Sequence, residues 1–229
     1  MCLGGSYFVF IYYLPIWFQA IKGISPLASG IDTLPMILGN VLGVISAGAL
    51  TTRFGYYMPF IFLSLIFMSI GAGLLTTLHV DSTYAHWIGY QILFGLGSGW
   101  GFQQTAVAAQ TVLALVDISI GTAIMVFVQL LGGAMFVTIA QNVFTNSLVS
   151  GILAIHIPTL NAKVIVQSGA TRLRTEVPSA NLPGVLIAYN AALVKTFQVA
   201  LCLACLSLLG AAGMEWRSVK NKKVVAAVV

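Results

Sequence analysis

Charged residues divide the chain into long apolar stretches. Residues 1–21 contain no charged side chain, and further uncharged runs cover 33–52, 54–80, 82–116, 118–162 and 196–214. A bilayer core of about 30 Å is crossed by about 20 apolar residues as a helix, and unpaired backbone in lipid is too costly for any open alternative. The pattern therefore predicts six membrane helices, near 1–21, 33–52, 57–78, 86–112, 120–145 and 187–214. The fold class is all-α transmembrane. A loop at about 148–185 and a tail at 215–229 complete the chain. Pro158, Pro178, Pro183 and Gly184 break any continuous helix through that loop, and its stretch from Ile155 to Val166 suits a short helix lying on the membrane surface.

Composition agrees with the pattern. Charged residues make up 7% and hydrophobic ones 59%, against roughly 25% and 45–50% in soluble domains. The first stretch is a span and not a secretory signal, because it lacks a basic leading region and runs through Tyr12-Tyr13-Leu14-Pro15-Ile16-Trp17 without a small-residue cleavage site. The net charge of +5 does not point to nucleic acid: Arg217, Lys220, Lys222 and Lys223 sit together directly after the last span. Basic residues in that position set membrane orientation. With Arg53 in the turn between spans two and three, they place that turn and the tail in the cytoplasm. Lys22, Asp81 and the long loop then lie outside, although the loop's Lys163, Arg172 and Arg174 against Glu176 pull moderately the other way.

Candidate chemistry is sparse. Cys2, Cys202 and Cys205 offer no disulfide framework, and Cys202-x-x-Cys205 has no further metal ligand nearby, so these are packing residues. His79, His86 and His156 read as interfacial polar residues. Gly39-x-x-x-Gly43, and Gly95, Gly97, Gly99 and Gly101, leave flat helix faces for close packing. Without a following Lys and Ser or Thr, the second set is no phosphate loop, and nothing supports ATP-driven pumping. Asp32, Asp81 and Asp117 fall at span ends, with Asp32 expected in the first turn of span two against the helix dipole. No mid-membrane carboxylate is expected to carry a proton, and no cluster of acids, His or Cys at one depth suggests an enzyme.

The polar residues inside the spans are amides and hydroxyls, which are costly in lipid unless they face another helix or water. Phe8, Tyr12, Pro15 and Gln19 share a face of span one, Gln103 and Gln110 a face of span four, and Gln129, Gly132 and Phe136 a face of span five. Singly, each amide can simply tie helices together. Collectively, Tyr12, Gln19, Gln103, Gln110, Gln129 and Phe136 are expected to line a cavity for a medium-sized, partly apolar organic solute.

An ordered set of local sequences carries a family resemblance across almost the whole chain. It comprises Tyr13-Leu14-Pro15-Ile16-Trp17-Phe18-Gln19-Ala20, Lys22 to Gly30, Leu34-Pro35, the turn Gly48 to Pro59, Gly95 to Gly99 with Gln103-Gln104, Ala140-Gln141-Asn142-Val143-Phe144, Tyr189-Asn190-Ala191 and Glu215 to Lys220. It resembles the fungal drug:proton antiporters of the major facilitator superfamily, in particular the fourteen-span branch that includes mycotoxin efflux pumps. The resemblance implies a six-helix C-terminal half whose partner half lies elsewhere. It implies efflux of a small organic drug, toxin or secondary metabolite in exchange for protons, in the plasma membrane, with no cofactor and no nucleic acid. The turn with Gly48, Arg53 and Gly55 resembles the degenerate second copy of the superfamily's cytoplasmic loop motif, which implies a gating role for Arg53. The alternative expectation is a truncated product that transports nothing by itself.

Overall fold

The glycines of the fourth helix organise the bundle. This helix, α4 (Tyr84–Val112), follows α1 (Cys2–Trp17), which ends in a π-helical turn (Phe18–Lys22), α2 (Pro26–Phe54) and α3 (Met58–Leu75). It precedes α5 (Ile118–Ala154) and α6 (Leu182–Ala212). The computed structural model describes residues 1–155, 169–170, 173–174, 177–179 and 181–214. His156, the expected surface helix, most of the basic and acidic loop residues and the tail from 215 lie outside the described residues.

Gly95 and Gly99, four apart, face α2, and a Cβ on either would strike the backbone around Met36 and Asn40. Gly97 and Gly101, also four apart, face the opposite side, against Met68 and Ser64 of α3 and Leu3 of α1. The alternating glycines thus serve two helix faces, because residues four apart in an α-helix lie one above the other. Close approach also brings polar groups together. Asn40 Nδ2 donates to Ser98 Oγ at 3.0 Å, Ser64 Oγ to Gly97 O at 2.7 Å, and Trp100 Nε1 to Ser46 Oγ at 2.8 Å.

Two helices are therefore enclosed. α4 packs between α2 and α3, and α1 packs between α5 and α6, while α3 meets α6. Exchanging the first three helices with the last three maps α2 on α4 onto α5 on α1 and α3 on α4 onto α6 on α1 and leaves α3 on α6 unchanged, while the packing of α5 on α6 has no comparable counterpart between α2 and α3. Since α1 and α4 run in opposite directions, the matched pairs are related as in the three-plus-three inverted repeats of secondary transporters. Among the described residues α2, α3, α5 and α6 are long and apolar enough to cross a membrane by length and composition. α1 and α4 fall short for a physical reason: α1 passes into its π turn after 16 residues, and α4 carries buried glycines together with Gln91 and Gln104, which face protein, not lipid.

Three boundaries differ from the sequence expectation. α2 starts at Pro26, where the Ser25 side chain accepts from Ala28 N at 3.2 Å and caps the helix. Asp32 consequently sits in the second turn and not the first, so its interaction with the helix end is weaker than expected. α5 continues to Ala154 and α6 begins at Leu182, shortening the expected loop at both ends. The extra turns of α5 bury Leu148 and Ile152 in the core, and that burial stabilises the longer helix.

The bundle end that contains Lys22 is tightly tied. Trp17 Nε1 donates to Asn190 Oδ1 at 2.7 Å, and Asn190 Nδ2 donates to Leu78 O at 3.1 Å, which joins α1, α6 and the turn after α3. Lys22 Nζ donates to Val80 O and Ser82 O, each at 2.8 Å, and stands 5.5 Å from the Trp17 ring centroid. Burial pushes the Lys22 ammonium below its usual pKa, and Asp81 partly opposes that shift. Arg174 donates to Ile21 O at 2.8 Å, satisfying a carbonyl at the helix end.

Candidate functional site

An open polar surface within the helices lies on α1 and α5. Gly4 and Gly5 let α5 approach closely, since a Cβ on Gly4 would stand 2.5 Å from Gln129 O. This seats Tyr13, fully buried, against α5, where its hydroxyl donates to Gln141 Oε1 at 2.7 Å. Its neighbour Tyr12 is 51% exposed, with the two rings 5.0 Å apart. Thr138, Gln141, Asn142 and Thr145 lie at i, i+3, i+4 and i+7, one face of α5, and the first three are exposed. Asn142 Nδ2 donates to Thr138 O at 3.0 Å, and Gln141 Nε2 to Thr145 Oγ1 at 3.4 Å. Thr138 donates back to Ala134 O at 2.9 Å.

Depth gives this patch its meaning. Tyr13 is nine residues before Lys22, so at 1.5 Å per residue Gln141 sits about 13 Å in from that end of the bundle. That places an exposed amide face well inside an apolar layer of about 30 Å. Amides facing lipid at that depth would forfeit hydrogen bonds to water, which is why such residues normally face a cavity or another helix. The patch carries no charge and pairs hydrogen-bonding groups with aromatic rings.

The sequence-derived candidates separate into different places. Tyr12 belongs to the patch. Gln19 donates to Ser29 Oγ at 2.9 Å and ties the π turn to the first turn of α2. Gln103 is half-buried on α4, its amide nitrogen 3.8 Å from where a Cβ on Gly48 would stand. Gln110 is exposed near the end of α4. Gln129 is half-buried, with its backbone under Gly4, and the Phe136 ring lies against Gly5 with Leu203 of α6 nearby. The Gln129, Gly132 and Phe136 face is thus the packed face of α5. The expected grouping of all six residues is not what the helices assemble, because their glycine neighbours turn that face towards α1.

The turn after α2 is built for a sharp reversal. Gly55 has φ 82°, a left-handed conformation that favours glycine, and its N–H donates to Thr51 O at 2.8 Å. Gln104, fully buried, donates to Thr51 Oγ1 at 2.6 Å and holds this end of α2 to α4. Arg53 stays exposed in the last turn, where its charge complements the helix C-terminus.

The polar face that periodicity did not single out is Thr138, Gln141, Asn142 and Thr145. A signal was present: four polar residues at helical spacing in an uncharged run. Gly132 and Gly133 identify the competing face as the packed one.

Comparison with known proteins agrees with this architecture. No protein-family model matches the chain. Over 222 residues, 97% of its length, it is 51% identical to the MFS-type efflux pump MFS1 of Trichophyton rubrum. It is 50% identical over 221 residues to the efflux pump aflT of Aspergillus parasiticus, and 46% identical over 222 residues to the aspyridones efflux protein of Neocamarosporium betae. The chain spans 41%, 43% and 39% of these three relatives. Over nearly its whole length the chain is thus similar to one portion of fungal MFS-type efflux pumps.

Proposed function

We propose that these helices form the C-terminal six-helix half of a plasma-membrane efflux transporter. It exports a small, uncharged organic compound, such as a drug, toxin or secondary metabolite, in exchange for protons. The carrying observation is the exposed Tyr12, Gln141 and Asn142 face within the apolar depth. Its neutral donors and acceptors suit a partly aromatic solute with carbonyl or hydroxyl groups, not an inorganic ion. Alternating access rocks two such halves around a site between them, so the 229 residues alone supply one wall and perform no transport. Gly48, Arg53 and Gly55 form the cytoplasmic turn that limits opening, which puts Lys22 outside. The proton-carrying groups belong to the other half. The role is transport.

The test is efflux of a neutral, carbonyl-bearing fluorophore such as a coumarin by a full-length protein carrying these helices. Asn142→Leu and Gln141→Leu are expected to raise KM several-fold with little change in membrane abundance. Efflux that is absent in the unsubstituted protein, or unaltered in both variants, would sink the reading.

A further inference from the structure

A charge stands where lipid would not tolerate it. Lys195 lies 13 residues into α6 and is exposed. Asn190, five residues earlier, is bonded to Trp17, which is itself five residues before Lys22. At 1.5 Å per residue, Lys195 is therefore about 15 Å in from the Lys22 end. The ring contact between Phe10 and Phe197, with centroids 5.2 Å apart, gives the same depth, because Phe10 is twelve residues before Lys22. A four-carbon stem spans less than half that distance, so the ammonium cannot snorkel to the interface. Among the described residues Lys195 makes no hydrogen bond or ion pair.

The surroundings form an interaction stripe. Ala191, Lys195, Gln198 and Cys202 recur at i, i+4, i+7 and i+11 and are all exposed. Gln198 too has no partner among the described residues. The opposite face of α6, with Leu193, Phe197, Ala200 and Ala204, is buried against the bundle. The stripe thus points away from the α1 and α5 patch and does not serve the same cavity.

We propose that this face of α6 is covered by a further membrane helix of the longer transporter, one that presents a carboxylate to Lys195. Charge complementarity names the chemistry, since an ionisable residue at this depth is retained when it is paired. Chain length supplies the occupant. As 222 matched residues are 41% of the Trichophyton relative, that protein is about 540 residues long and about 320 lie outside the match. A second six-helix half, like the 1–214 portion here, uses about 215 of those. The remaining hundred or so hold two further spans of about 20 residues with their loops. A second copy is a poor occupant, because a two-fold contact through this stripe would oppose Lys195 to itself.

The test compares Lys195→Arg, Lys195→Met and Lys195→Glu in the full-length protein, read as detergent unfolding midpoint and membrane-inserted yield. With a facing carboxylate, Lys195→Arg holds the midpoint, Lys195→Met lowers it by roughly 5 °C, and Lys195→Glu lowers it furthest. An unchanged or raised midpoint for Lys195→Met would overturn the proposal, because removing an unpaired charge from lipid relieves the helix. Oxidative cross-linking of two copies through Cys202 would overturn it in favour of self-association. Neither result touches the efflux reading, which rests on α1 and α5.

Discussion

Gly43→Ala perturbs the closest crossing in the bundle by one methyl group. The new Cβ would stand 2.6 Å from Leu96 O and 3.2 Å from Gly99 Cα, whereas ordinary contact begins at 3.4 Å. Both neighbours are backbone, so α2 and α4 must separate locally by roughly 0.8 Å, the difference between 3.4 and 2.6 Å. A gap of that size forfeits a quarter to a half of each affected van der Waals well. It also stretches the Asn40 to Ser98 hydrogen bond from 3.0 Å to beyond bonding distance. Overpacking strain of about 1–3 kcal/mol and an interhelical hydrogen bond of about 0.6 kcal/mol are partly offset by alanine's helix preference of about 0.5–1 kcal/mol. Gly30→Ala supplies the control: its Cβ meets nothing within 4 Å, so it gains the preference alone. The two variants should differ by about 2–3 kcal/mol in unfolding from mixed detergent micelles, with Gly43→Ala the less stable. Equal stabilities would refute the claim that backbone proximity, and not composition, fixes this crossing.

Two further outcomes follow from single groups. Gly55→Ala forces a side chain into φ 82° and should cost about 1–2 kcal/mol in the same unfolding measurement, without changing the helix content seen by circular dichroism. Asn190→Leu removes the buried amide that bridges Trp17 and Leu78, leaving Trp17 Nε1 and Leu78 O unpaired. It should cost about 2–3 kcal/mol and speed proteolysis of the turn between α3 and α4.

The helices were legible because uncharged runs report lipid directly, and the glycines of α4 were legible as packing faces. What the runs could not show was where helices end: Ser25 caps α2 well before its apolar core begins, and Leu148 and Ile152 extend α5 by burial. The candidate site was only partly legible. Tyr12 is exposed, as its aromatic and amide face suggested, but an amide on a helix face reads the same whether it meets a cavity or a neighbour. Gln129 lies at a helix contact set by where Gly4 lets α5 approach, and Gln19 at a hydrogen bond to Ser29 of α2. Gln141 and Asn142 stood beside the buried Phe144 in the sequence and drew attention only as a family likeness. Lys195 was hidden between two apolar runs, and its depth emerges only once Trp17 and Asn190 are seen to touch.

Whether Asn142 faces water inside the membrane is the most direct question to put to the central claim. With Cys2, Cys202 and Cys205 replaced by Ser, Asn142→Cys and the exposed apolar control Ile66→Cys on α3 can each be exposed to a membrane-impermeant maleimide in the full-length protein. A transport cavity requires that Asn142→Cys be labelled, that the transported compound protect it, and that Ile66→Cys stay unlabelled. An Asn142→Cys as inert as the control would contradict a cavity on this face.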